Sequence, residues 1–305
     1  MMAFALKRLL LALVVAFAVS LISFMLLRLA GDPAAALAGE SASAEDIEFV
    51  RKKYGLDRPL IVQYLDWAQM VLKGDLGESS FFKKDVRSIL ADRLGVTLTL
   101  GGLALCFAAL VGIPLGALAA VRPNTWVDRA ALAIAVMGQA MPSFWFGLIM
   151  IIVLGVKLRL LPISGSETWA HFVMPAIALG YYATPAIMRL TRAGMLEVLS
   201  SDYIRTAVSK GLSPWQILFK HALRNALIPV VSLASVQFGF MLGGSVVIET
   251  VFAIHGVGFL AWESIRRSDL PVVQAIVLML SLIYVGLNLL ADVLNALLDP
   301  RIRVH

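Results

Sequence analysis

Long apolar runs, cut by short charged segments, set the pattern of this chain. Six stretches contain no Asp, Glu, Lys, Arg or His: Leu9–Leu27, Leu94–Val121, Ala130–Val156, Phe172–Met188, Asn225–Ile248 and Leu270–Ala291. A helix crossing the hydrocarbon core of a bilayer needs about 20 mostly apolar residues, so each stretch reads as one membrane span. The fourth is the shortest and is expected to extend through Trp169 and Arg189. The reading is an all-α membrane protein: a first helix within 1–30, then spans near 96–121, 130–156, 170–190, 227–249 and 270–292. Pro114, Pro142, Pro175, Pro185 and Pro229 fall inside these runs. In lipid a proline is kept where neighbouring helices or water satisfy the freed carbonyls, so kinks rather than breaks are expected.

Two polar segments carry structure of their own. In residues 31–95, Ser43 followed by Asp46 forms a capping-box pattern, opening a helix through Ile47, Val50 and Tyr54 that stops at Gly55. Pro59 opens a second helix, through Tyr64, Trp67 and Val71, which ends at the turn Gly74–Gly77. Such a helical cap could cover the mouth of a bundle or dock a partner, and the pattern leaves both open. In residues 197–226, Ser200-Ser201-Asp202 caps a helix over Tyr203, Ile204, Ala207 and Val208, with Asp202 and Lys210 at the ends the helix dipole favours. Gly211 sits where a left-handed stop is wanted. Ser213, Pro214 and Gln216 then restart a helix carrying Trp215, Leu218, Ala222 and Leu223. This knob reads equally as a docking element or as an interfacial anchor.

Charge sets the orientation. Lys7 and Arg8 precede the first run, which puts the N-terminus inside by the excess of basic residues in cytoplasmic loops. Six crossings return Arg301 and Arg303, in a tail over 296–305, to the same side. Arg122, Arg129, Arg189, Arg192, Arg205, Lys210, Lys220 and Arg224 then fall in inner loops, against Lys157, Arg159, Arg266 and Arg267 in short outer ones. Lys7-Arg8, the apolar run and Ala36-Leu37-Ala38 imitate a secretory signal. The run exceeds the 7–15 residues of a signal core, and its removal would leave five spans, so a retained helix is expected.

Composition agrees. Of 305 residues, 60% are hydrophobic and 15% charged, against about 25% charged in soluble domains. The net charge of +6 is spread between apolar runs rather than gathered for nucleic acid. A single Cys106 leaves no disulfide framework, and the four histidines are scattered. The chain has no G-x-x-x-x-G-K-[ST] phosphate loop and no H-E-x-x-H zinc motif. No cofactor, metal or catalytic residue is expected. With no ionisable residue read inside the runs, a proton-coupled path is disfavoured. The polar residues left there are Gln139, Ser143, Tyr181, Tyr182, Gln237, Ser245, Gln274 and Asn288, most of them expected to bond helix to helix. Energy for transport would have to come from another chain.

The run Tyr203-Ile-Arg-Thr-Ala207-Val-Ser-Lys210-Gly211-Leu212-Ser213, followed by His221-Ala-Leu-Arg224-Asn225-Ala-Leu-Ile-Pro229, resembles the coupling-loop signature of ABC-importer permeases. Further pieces are similar to the dipeptide/oligopeptide/nickel family of such permeases, in the subunit type with a large first periplasmic loop. These are Gly31-Asp32-Pro33, Tyr54–Pro59, Gly74–Ser79, Thr97–Leu100, Gly112–Gly116, Pro142–Trp145, Gly243–Phe252 and Gly256–Gly258, in that order. Val208-Ser209 departs from the pattern, where the family usually has Ala-Arg or similar.

The resemblance implies a type I ABC importer permease fold in the bacterial inner membrane. It implies a pairing with a second, homologous permease, two ATP-binding subunits docked on the cytoplasmic loops, and a periplasmic substrate-binding protein. Tyr203, Ala207, Lys210, Gly211, Leu212 and Ser213 would carry the ATPase-coupling contact. Glu249, Phe252, Gly256 and Gly258 would serve an outer gate or the binding-protein contact. The cargo would be a dipeptide, an oligopeptide or glutathione, with a nickel complex as the alternative. A secondary transporter and a membrane scaffold are the readings from other classes.

Overall fold

The computed structural model describes residues 2–29, 31–39 and 42–298, and the tail beyond Leu298, with Arg301 and Arg303, lies outside them. The described chain is built from helices: α1 (Met2–Leu29), α2 (Pro33–Ala38), α3 (Ala44–Lys53), α4 (Leu60–Leu72), α5 (Val86–Val121), α6 (Trp126–Ala140) and α7 (Ser143–Met150). A π-helical stretch, Ile151–Lys157, continues α7. Then come α8 (Trp169–Leu199), α9 (Asp202–Ser209), α10 (Pro214–Gln216), a second π-helical stretch Ile217–Leu223, α11 (Arg224–Ala226), α12 (Ile228–Val251), α13 (Val257–Arg266) and α14 (Leu270–Leu298).

The centre of the fold is the pair α5 and α8. On α5, Leu100, Ala104, Ala108, Gly112, Gly116 and Ala120 recur at every fourth position, and all are buried. Ala176, Gly180 and Thr184 repeat the spacing on α8. A Cβ on Gly180 would stand 2.3 Å from the Ala104 carbonyl oxygen, and one on Gly116 would stand 2.5 Å from that of Met188. In lipid the hydrophobic effect offers no drive between helices, so backbones that approach this closely gain their stability from van der Waals contact. Because position 104 meets 180 and position 116 meets 188, the two helices run parallel. The segment α6–α7–π makes the return between them.

The other helices are antiparallel partners. On α12, Phe238 and Leu242 face Gly101, and Ala226 just before it abuts Gly194 of α8. Helices α1 and α14 pair head to tail, with Arg8 bridged to Asp292 at 2.8 Å near one end. Near the other, Ser23 Oγ donates to the Gln274 carbonyl at 3.1 Å. Outside the bundle, Tyr64 and Trp67 of α4 pack on the Phe24 ring of α1, and Arg28 donates to Gln63 at 2.6 Å. The first helix is therefore tied into the fold by ring packing and side-chain hydrogen bonds.

The structure departs from expectation in two places. Among the described residues, four helical segments are long and apolar enough to cross a membrane: Leu6–Met25, Val86–Val121, Ile228–Val251 and Leu270–Leu294. The third expected span, 130–156, is interrupted, and at Pro142 the outcome is a break instead of a kink. Met141 is extended (φ −96°, ψ 129°) and Pro142 becomes the cap of α7, as the clash of a proline ring with the preceding residue favours. Pro114, Pro175 and Pro185 stay inside unbroken helices. The residues before the last two, Met174 and Thr184, are fully buried in the packed bundle, and that packing holds them helical against the local preference. The second departure is Glu249, which lies inside α12 and is wholly buried, although the spans were expected to hold no ionisable group.

Candidate functional site

The segment between α8 and α12 is a knob whose shape follows from local chemistry. Helix α9 ends on Lys210, and Gly211 takes φ +76°. The Gly211 N–H donates to Val208 O at 2.9 Å and the Leu212 N–H to Ala207 O at 3.3 Å. Those two bonds make a Schellman stop, which a glycine in the left-handed region permits at least cost. Ser213 then closes a capping box: its Oγ accepts from Gln216 N at 3.3 Å, and its own N–H donates to Gln216 Oε1 at 3.2 Å. Two helical pieces thus meet at a sharp, self-satisfied corner.

The inner face of the knob is apolar and seated on the bundle. Ile204, Ala207, Ile217, Ala222 and Ala226 pack with Met195 of α8 and Ala120 of α5, with Leu212 against their edge. Tyr203 Oη accepts from Asn225 Nδ2 at 2.8 Å and donates to the His221 carbonyl at 3.4 Å, which ties the first helix to the second. Beside the knob, Arg192 of α8 grips Asp128 of α6 with two bonds of 2.7 Å. The guanidinium holds the Asp128 carboxyl below the usual carboxylate range, with help from the Asn124 N–H. The segments around the knob are therefore fixed to one another, as a lever would require.

The expected coupling residues divide into two sets. Tyr203, Lys210, Gly211 and Ser213 are exposed, whereas Ala207 is buried and Leu212 half-buried. Ala207 faces the bundle and seats the loop; it offers no outer surface. What the sequence reading passed over as contact is an aromatic pair. Trp215 is 71% exposed and Phe219 46% exposed, their rings 4.2 Å apart. Their spacing of four on a helix was the available signal. We expect Gly211→Ala to cost about 1 kcal/mol in the knob through backbone strain alone, since no atom lies within 4 Å of the added Cβ. Hydrogen exchange of the α9 amides should quicken several-fold in that variant, and unchanged exchange would count against a strained stop.

The second group, Glu249, Phe252, Gly256 and Gly258, is brought together but turned inward. Glu249 Oε1 accepts from Thr97 Oγ1 at 2.7 Å, and Oε2 accepts from the Phe259 N–H at 2.8 Å. Thr97 Oγ1 in turn accepts from the Val257 N–H at 2.8 Å. Glu249 and Thr97 thereby satisfy the first amides of α13, whose own cap is a glycine without a side chain. Added Cβ atoms on Gly256 and Gly258 would fall 2.6 and 3.0 Å from Glu249 Oε2, so both positions need glycine for this approach. Phe252 is 1% exposed and packs over Gly147 of α7. Glu249 and Phe252 present no surface to a binding protein here; they lock α12, α13 and α5 together.

A comparable lock was missed altogether. Asp269, fully buried before α14, accepts from Ser79 Oγ, from the Ser80 N–H at 3.1 Å and from the Phe81 N–H at 3.3 Å. It fastens the loop after α4 to the start of α14, and an aspartate one residue ahead of Leu270-Pro271 was its only sequence signal.

The interruption at Pro142 opens a cavity of about 560 Å³ between α6, α7, α8 and α12. Gln139, Ser143, Tyr182 and Gln237 line it, together with Phe144 and Phe240. Half of the eight polar residues read from the runs therefore meet in one chamber, whereas Tyr181, Ser245 and Asn288 bond to backbone carbonyls. Unpaired backbone at membrane depth is tolerated where it lines such a space.

Residues 112–304 match the family described as binding-protein-dependent transport system inner membrane component, and residues 1–101 match its N-terminal counterpart. The chain is 41% identical over 304 residues to the glutathione transport system permease protein GsiC of Escherichia coli K12, covering 99% of each. The same identity and coverage hold for the protein of that name from Shigella dysenteriae serotype 1. Among solved structures, a chain of an inward-facing MetNI methionine ABC transporter superposes with a TM-score of 0.58 at 21% identity, over 69% of this chain and 96% of that one. A second crystal form of it gives 0.54 at 20% identity. At such identity the likeness concerns the fold.

Proposed function

We propose a function from one premise: the chain belongs to the binding-protein-dependent transport system inner membrane components. It is a permease subunit of an ABC importer and a multi-pass protein of the inner membrane. On our reading it crosses the membrane six times with both termini inside, through α1, α5, α6–α7–π, α8, α12 and α14. The parallel run of α5 and α8 supports counting the interrupted segment as a crossing. The Arg8–Asp292 bridge supports placing both ends on one side. Residues 31–95 then form the periplasmic segment, and 197–226 the cytoplasmic coupling loop.

The chain would pair with a second, homologous permease, and the two would share two ATP-binding subunits that supply the energy. A periplasmic binding protein would deliver the cargo, a peptide of the dipeptide, oligopeptide or glutathione type, as the 41% identity to glutathione permeases favours. The observation that carries this reading is the knob: a rigid corner, seated on α8 by its apolar face, that presents Trp215 and Phe219 outward. Exposed aromatics on a fixed support are the anchors that protein contacts use most. Trp215→Asp should cut retention of the ATP-binding subunit on the purified permease pair by tenfold or more, with insertion unchanged. Peptide uptake should fall with it. Full retention and full uptake would move the coupling contact elsewhere.

A further inference from the structure

Arg189 is a charged residue whose exposed side chain reaches the lining of the chamber opened at Pro142. Arg192, one turn further on, holds Asp128 in a two-bond clamp. Arg189 forms no ion pair among the described residues. Its NH1 donates to Gln139 Oε1 at 3.2 Å, and Gln139 lines the chamber opened by Pro142. Leu179, Tyr182 and Ala183 of α8 line the same chamber, and position 189 lies seven residues beyond 182, two turns along the same helix face. The chamber itself holds amides, a hydroxyl, a phenol and aromatic rings, with no charged side chain in its lining.

We propose that Arg189, held by Gln139 at the inner end of the chamber, is the charge-selecting element of the path, drawing the carboxylate of a peptide inward and repelling cationic cargo. This rests on the reading that the chain lines the solute path. The amides of Gln139 and Gln237 suit peptide groups of any side chain, since each amide both donates and accepts. The guanidinium supplies what the chamber lacks, a positive charge beside its lining whose potential reaches into the cleft. A free metal cation or a positively charged metal complex would meet repulsion at this point.

The test reads potential rather than transport. Gln237→Cys and Tyr182→Cys are each made in a Cys106→Ser background, and the complete complex is placed in lipid nanodiscs. Each thiol is reacted with methanethiosulfonates that are anionic, cationic or neutral. With Arg189 present, the anionic-to-cationic rate ratio, normalised to a free thiol, should exceed that of Arg189→Gln by about tenfold. Arg189→Lys should keep most of the difference. An equal ratio with Arg189 and with Arg189→Gln overturns the proposal while leaving the path reading intact. Failure of the neutral reagent to modify either cysteine overturns the path reading, and the proposal with it. Should Arg189→Gln not assemble, raising salt from about 0.1 to 1 M shortens screening from about 10 to 3 Å. The ratio should then fall toward the free-thiol value, and a flat salt response overturns the proposal.

Discussion

Gly180→Val should abolish accumulation of the folded protein, and Gly180→Ala alone should lower its thermal midpoint sharply. The added Cβ would stand 2.3 Å from the Ala104 carbonyl oxygen and 3.0 Å from its carbon. Both are backbone atoms of a central helix, so relief requires α5 and α8 to move apart along the whole seam. Overpacking of a well-packed core costs about 1–3 kcal/mol, and a rigid backbone neighbour puts this site at the upper end. The seam is also the surface on which the knob rests, because Ala120 and Met195 extend it into the loop's apolar seat. Gly102→Ala is the control: it lies on α5 too, but no atom is found within 4 Å of the new Cβ. That change should be near neutral, since alanine favours a helix over glycine by up to about 1 kcal/mol. The measurement is detergent-solubilised yield with a thermal unfolding scan. Equal midpoints for Gly180→Ala and Gly102→Ala would show that the seam tolerates separation.

What the sequence made legible here is what neighbours along the chain decide. Ser43 with Asp46, Ser213 with Gln216, and the stop at Gly211 all formed as read, because each requires only residues three or four apart. The apolar runs likewise located four helices long and apolar enough to cross a membrane, as burial in lipid demands internal hydrogen bonding over a fixed length. The break at Pro142 was not legible, because Pro175 and Pro185 carry the same local chemistry and differ only in how firmly α8 is packed. Nor were the π-helical stretches at 151–157 and 217–223, for which the sequence has no distinct signal. The residues expected to carry the coupling contact fall in one knob, but Ala207 faces the bundle whereas Trp215 is exposed. Partners such as Ser79 and Asp269 meet across 190 positions, and the pattern of a single chain does not register such pairs. Glu249 fell one residue past the apolar run, at the end of the span expected over 227–249.

Glu249→Ala should disorder the end of the bundle on which α13 packs. The carboxylate satisfies Thr97 Oγ1–H and the Phe259 N–H at once, and Thr97 is placed by that bond to accept from the Val257 N–H. Removing it strands these groups in a site without exposed surface, and the glycines that made room for the carboxylate would border a void. A buried donor left unsatisfied costs about 1–3 kcal/mol, and the void adds to that. Glu249→Gln should be milder, because one oxygen still accepts from Phe259 and the Thr97 hydroxyl can turn to accept from the new amide. Trp262 lies within α13, so with the other five tryptophans replaced by phenylalanine its fluorescence reports the unfolding of that helix. The expected order of midpoints is wild type, then Glu249→Gln, then Glu249→Ala, with faster hydrogen exchange across residues 257–266 in the alanine variant. If Glu249→Ala kept the wild-type midpoint and slow exchange, the carboxylate would not be holding α13, and a gating role for Glu249 would return to the fore.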